Sequence, residues 1–194
     1  MSFAALAPRP WTWRRRAIDP DPEPDPGPGP DPDPDPEPVD EFTIYRFEML
    51  SSQSGAEFIE ILQFALVDPQ DSPISIVGAQ FDESDAYLGL GAANAFDGSI
   101  GTDGWSPTNP PPPTEWAEVE LAAPAALGAV HIALPWWETG NWPDGVRVRA
   151  TNDRQTWTTL VDTNLDTSSP PGSSPWWLTV EIIEGSYQSP PAGY

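Results

Sequence analysis

The sequence predicts an all-β domain carried on a long extended arm. Two observations point there. Residues 19–38 repeat X-Pro ten times, with X being Asp, Glu or Gly. Beyond them, runs rich in β-branched and aromatic residues alternate with clusters of Gly, Pro, Asn, Asp and Ser, the pattern of short strands joined by turns.

The arm comes first. Proline at every second position fixes φ, removes half of the backbone donors and drives each preceding residue to extended geometry, so neither helix nor sheet forms. Polyproline II remains, and twenty residues at about 3.1 Å each span roughly 60 Å. Residues 19–38 carry eight acids and no base, which stiffens the segment further. Ahead of it, residues 1–18 carry four Arg and no acid, with Trp11 and Trp13 beside Arg14, Arg15 and Arg16. Trp and Arg are enriched in interface anchors. We read residues 1–18 as a basic-aromatic docking peptide, against the alternative of a functionless tail, and residues 19–40 as an acidic spacer. No apolar run of secretory-signal length follows the Arg cluster. Nor does any stretch reach the roughly 20 apolar residues of a membrane-spanning helix.

The globular part, residues 41–184, opens on Phe42–Leu50, a strand by its Thr, Ile, Tyr and Phe content, followed by a second strand over Glu57–Leu66. Residues 72–90 read as loop. Leu127–Leu134 is a strand with Val130, Ile132 and Leu134 on one face. His131, the only histidine, alternates with them and is expected at a partly exposed position. Trp176–Ile183 is the last strand, and residues 185–194 form a polar tail.

The centre of the domain is the stretch Ala95-Phe96-Asp97-Gly98-Ser99-Ile100-Gly101-Thr102-Asp103-Gly104-Trp105. Gly and Asp favour turns, so this is a loop pinned by two aromatic anchors. Asp97, Ser99 and Thr102 crowd oxygens into it. Such a set suits a hard cation such as calcium; it equally suits an Asx-turn in which Asp97 accepts backbone N–H groups. A second loop, Pro135–Gly145, holds Trp136, Trp137 and Trp142 among Glu138, Asn141 and Asp144. Aromatic faces there can stack on sugar rings while the polar groups take hydroxyls. They can equally cap the core or meet a neighbouring subunit. Trp136, Trp137, Glu138 and Asn141 are the candidate ligand contacts. Trp142 is expected to turn inward, and Trp105, Trp116 and Trp157 to lie in the core.

These landmarks resemble a known family. Ala95-Phe96-Asp97-Gly98-Ser99 with Thr102 and Trp105, Trp116–Leu121, and Val146–Trp157 are similar in order and spacing to the signature segments of discoidin (coagulation-factor type C, galactose-binding-like) domains. The resemblance implies a jelly-roll β-sandwich, ligand-specific loops at one end and a structural calcium ion. In that family the segments resembling Tyr45-Arg46-Phe47 and Ile59-Glu60-Ile61 close the domain; here they come first, an order similar to a subgroup met in bacteriophage tail and fibre proteins. By position the resemblance makes Glu60 a second charged calcium ligand, beside Asp97, Ser99 and Thr102.

Composition narrows function. There is no Cys, no Lys and a single His, and no Gly-rich phosphate loop, so the pattern offers no catalytic constellation. Glu118 and Glu120 share a strand face and are expected to be solvated. A net charge of −22 argues against binding nucleic acid or an anionic membrane through bulk electrostatics. The expectation is a non-catalytic module on a virus particle, binding host-surface glycan and reaching other virion proteins through its arm, with homo-oligomers allowed. The alternative is a decoration or cement protein contacting other virion subunits; a secreted, extracellular module is the third option.

Overall fold

A computed structural model describes residues 40–52, 59–101, 103–107, 115–136, 142–167 and 176–182, all within the unit Pro38–Tyr194. The docking peptide with Trp11, Trp13, Arg14, Arg15 and Arg16, the spacer to residue 39 and the tail 185–194 lie outside the described residues.

Among the described residues eight strands form two antiparallel sheets: β1 (Phe42–Ser52), β2 (Gln63–Val67), β3 (Gln80–Glu83), β4 (Glu115–Ala125), β5 (Ala129–Leu134), β6 (Pro143–Thr151), β7 (Thr158–Asn164) and β8 (Trp176–Glu181). The five-stranded sheet runs β3-β4-β1-β6-β7 and the three-stranded sheet β2-β5-β8. β1 lies in the middle of the larger sheet, paired with β4 on one side and β6 on the other. Its alternation decides its place: Tyr45, Phe47 and Met49 are fully buried between the sheets, while Arg46 and Glu48 point to the other face. The core is aromatic at its centre. Phe47, Phe64, Phe96 and Phe81 follow one another with ring centroids 4.8, 5.1 and 5.3 Å apart.

Among the described residues one 3₁₀ turn, Ala92–Phe96, packs against both β2 and β3. We call the end where β1 finishes the upper end. It also holds the end of β5 and the start of β6, because the Trp142 Nε1–H donates to the Pro135 carbonyl at 2.8 Å. The chain enters the sandwich at the lower end, where Asn152 Nδ2 donates to the Glu41 carbonyl and its Oδ1 accepts the Thr43 N–H.

Several expectations are corrected. The second strand is shorter than Glu57–Leu66: Gln63–Val67 pairs with β5, and residues 59–62 are an extended connector. Within the expected loop 72–90, Gln80–Glu83 is a strand on β4. His131 is 1% exposed rather than partly exposed, because the outer face of the small sheet is itself buried at Gln63, Ala65, Ala129 and Ala133. Its Nδ1 lies 2.9 Å from Thr179 Oγ1, and burial holds its pKa below the usual histidine value.

The charged face of the larger sheet is corrected too. Glu118 is 1% exposed and fully engaged. Its Oε2 accepts Arg46 Nε and Nη2 at 3.0 and 2.8 Å, and its Oε1 accepts Arg154 Nε and Nη2 at 3.1 and 2.9 Å. Of the three tryptophans expected in the core, only Trp105 is there. Trp116 and Trp157 are half-buried on the outer face, where the Arg46 guanidinium carbon sits 3.9 and 4.4 Å from their ring centres.

Candidate functional site

The connector Ile59–Leu62 organises the upper end. Ile61 exchanges both main-chain hydrogen bonds with Trp105, at 3.0 and 2.8 Å, and Leu62 N–H donates to the Ala133 carbonyl at 2.9 Å. One short segment therefore holds the Phe96–Trp105 loop on one side and the end of β5, which leads into the Trp136 loop, on the other. The approach to Trp105 is close. A Cβ on Gly104 would stand 2.1 Å from the Ile61 carbonyl oxygen, so only glycine fits.

The loop anchors behave as the sequence predicts. Phe96 and Trp105 are fully buried, and the Trp105 indole N–H donates to the Asp85 carbonyl at 3.1 Å. Asp97 is exposed, its Oδ1 accepting the Ser99 N–H at 2.7 Å, and exposed Ser99 accepts the Gly101 N–H through Oγ at 3.3 Å. That is an Asx-turn continued by a serine turn. Glu60 is 7% exposed, in the connector rather than in a solvent-facing strand. Thr102 lies outside the described residues. Among the described residues no group of three or more His, Cys, Asp or Glu is placed to hold a metal ion. Carboxylate and hydroxyl oxygens such as those of Asp97, Glu60 and Ser99 are donors of the hard kind that calcium takes.

Of the aromatic-loop residues, Trp136 is half-buried directly after β5, whereas Trp137, Glu138 and Asn141 lie outside the described residues. Trp142 turns inward as expected: it is 1% exposed and meets Trp176 edge-on at 5.2 Å.

One element of this end was missed. The turn Asp85–Leu90 is bound to the Trp105 segment, with Tyr87 N–H donating to the Ser106 carbonyl at 2.7 Å and Ser106 N–H to the Leu90 carbonyl at 3.0 Å. At its tip Leu88 takes a left-handed conformation, φ 49°, and is 84% exposed beside exposed Tyr87. A leucine in that conformation costs about 1 kcal/mol or more, and such strain gathers at functional sites. Next to the turn the Ser106 hydroxyl is buried without a hydrogen-bond partner among the described residues. The sequence signal was available: Tyr87-Leu88 is an apolar pair between an Asp-Ala and a Gly, where turns usually carry polar residues. A cleft of about 510 Å³ lies at the lower end, lined by Glu41, Asp68, Ile74, Val77 and Pro124 among others; none of the predicted site residues lines it.

A family model for the F5/8 type C domain matches residues 78–181, from just before β3 to the end of β8. The chain belongs to this family. Compared with curated proteins and with solved structures, it returned no match. The matched F5/8 type C segment leaves out β1 and β2, yet β1 is the strand that joins β4 to β6, so the sandwich needs the preceding residues to be whole. F5/8 type C domains are in general non-catalytic modules that bind carbohydrate or other ligands.

Proposed function

We propose that this F5/8 type C domain is a non-catalytic module of a virus particle, a bacteriophage tail or fibre component, that binds host-surface carbohydrate at its upper end. The observation that supports this most is the connector. It joins Trp105, where the Asp97 loop ends, to the end of β5, from which the Trp136 loop departs, and the Tyr87–Leu88 turn is bonded to Ser106 beside Trp105, while the chain enters at the opposite end. Trp136 and Trp137 stack on sugar rings, and Glu138 and Asn141 take hydroxyls. Calcium is structural: Glu60, Asp97, Ser99 and Thr102 supply its oxygens and it ties the connector to the loop. Residues 1–18, through Trp11, Trp13 and Arg14–Arg16, dock to other virion proteins, and the spacer projects the domain outward.

Leu88, at 84% exposure, favours a second reading. A large aliphatic tip suits an apolar protein surface better than a sugar, as in a decoration protein that contacts neighbouring virion subunits. A glycan array probed with the full chain separates the two. Binding to a defined sugar class supports the adhesin; silence across a broad array favours the decoration protein. Deleting residues 1–18 and assaying particle incorporation tests the docking peptide, since unchanged incorporation removes it.

A further inference from the structure

We infer that the outer face of the five-stranded sheet is a self-association surface that receives a second copy of this chain, independently of what the upper end binds. Residues 39–194 hold 22 acids and four Arg, a net −18, so two such domains repel one another over most of their surface. All four of those Arg lie on this one face. Arg46 and Arg154 bind Glu118, Arg154 also reaches Glu120 at 2.8 Å, Arg147 reaches Asp162 at 2.6 Å, and both Arg147 and Arg149 reach Glu48. Four cations against these four carboxylates and the exposed Asp82, which stands across from Glu118 on β3, leave this face near neutral on an acidic body, and repulsion between copies is least here.

The face also carries interface chemistry. Trp116 and Trp157 are half-buried and clasp the Arg46 guanidinium between them, with Arg149 5.3 Å from the Trp157 ring centre. Indoles and guanidinium groups held rigid in this way present large contact area at little entropic cost, the composition of interface hot spots. Because cations and carboxylates alternate across the face, a two-fold axis lying between a cation and a carboxylate sets opposite charges against each other, which makes the face self-complementary.

Sedimentation velocity of the full chain over a concentration series tests this. The expected result is a reversible dimer. Thr159→Arg adds an unpaired cation beside Arg149, its cross-strand neighbour, at an exposed position that takes no part in the ion-pair network. It should weaken the dimer at least about tenfold by like-charge contact. Trp157→Ala should do the same, and Leu88→Ser, at the upper end, should leave the dimer intact. Retained circular dichroism of Thr159→Arg shows that the loss is not unfolding. A chain that is monomeric at every concentration, or a dimer indifferent to Thr159→Arg, overturns the inference.

Discussion

Ile61 and Trp105 exchange a reciprocal pair of main-chain hydrogen bonds, 3.0 and 2.8 Å long, outside any named strand. This pair fixes the Trp105 end of the Phe96–Trp105 loop against the connector. Its tightness depends on Gly104. Gly104→Ala forces a methyl into the Ile61 carbonyl, which is backbone and cannot swing aside. We expect a loss of about 3 kcal/mol in urea denaturation, with faster hydrogen exchange of the Ile61 and Trp105 amides.

The Glu118 carboxylate is the second keystone. Glu118→Gln leaves the partly buried Arg46 and the exposed Arg154 facing a neutral amide, and should cost about 1–3 kcal/mol, less than for a fully buried pair because solvent screens both guanidinium groups. Glu120→Gln, at a half-buried rim position, should cost about 1 kcal/mol or less. Equal effects from the two variants would show that burial of Glu118 is not what gives it weight.

Stability should also respond to pH in a defined direction at both extremes. His131 has a folded pKa below its unfolded value because burial disfavours the charged ring. The unfolded chain therefore takes up a proton first, and stability present above about pH 6.5 is lost as pH falls through the folded pKa. Tyr45 is pushed up to about 12 from 10.0, mainly by burial, and its hydroxyl donates to the Ala125 carbonyl. Its contribution is present below pH 10 and is lost as pH rises towards 12. Thermal melts should show both slopes, with the acidic one absent in His131→Gln. Absorbance at alkaline pH should show Tyr45 ionising well above pH 10.

The proposed calcium can be tested by chelation. If Glu60 and Asp97 share an ion, a chelator should lower the melting midpoint of the full chain, and added calcium should restore it in proportion to the logarithm of its concentration. Asp97→Asn and Glu60→Gln should each abolish the chelator response. An unchanged midpoint counts against bound calcium and leaves Asp97 as the turn-former its bond to Ser99 already makes it.

Much of the frame was legible in the residues. Phe96 and Trp105 read as anchors because large apolar groups bounded a Gly/Asp stretch, and Trp142 read as inward from its place before a strand. Trp116 and Trp157 misled because an indole suggests core whatever its parity. Trp116 shares its parity with Glu118 and Glu120, whereas Ala117, Val119 and Leu121 face inward, so the strand pattern already placed it outside. Glu118 looked solvated because nothing local announced Arg46 and Arg154, which arrive from distant strands. β3 was hidden by its brevity and its Gln, Asp and Glu, and its pairing with β4 is tertiary. The Asp85–Leu90 turn escaped because its strain and exposure belong to the fold and not to composition.

The central claim is that ligand binds along the rim shared by the Trp136 loop, the Asp97 loop and the Tyr87–Leu88 turn. The most direct measurement is an amide and indole NMR titration of the full chain with a sugar identified on the array. The account predicts saturable shifts at Trp136, Tyr87 and Ser99, lost in Trp136→Ala, with the lower-end residues Val77 and Ala125 unmoved. Shifts confined to Val77, Ala125 and their neighbours, with Trp136 silent, would contradict it.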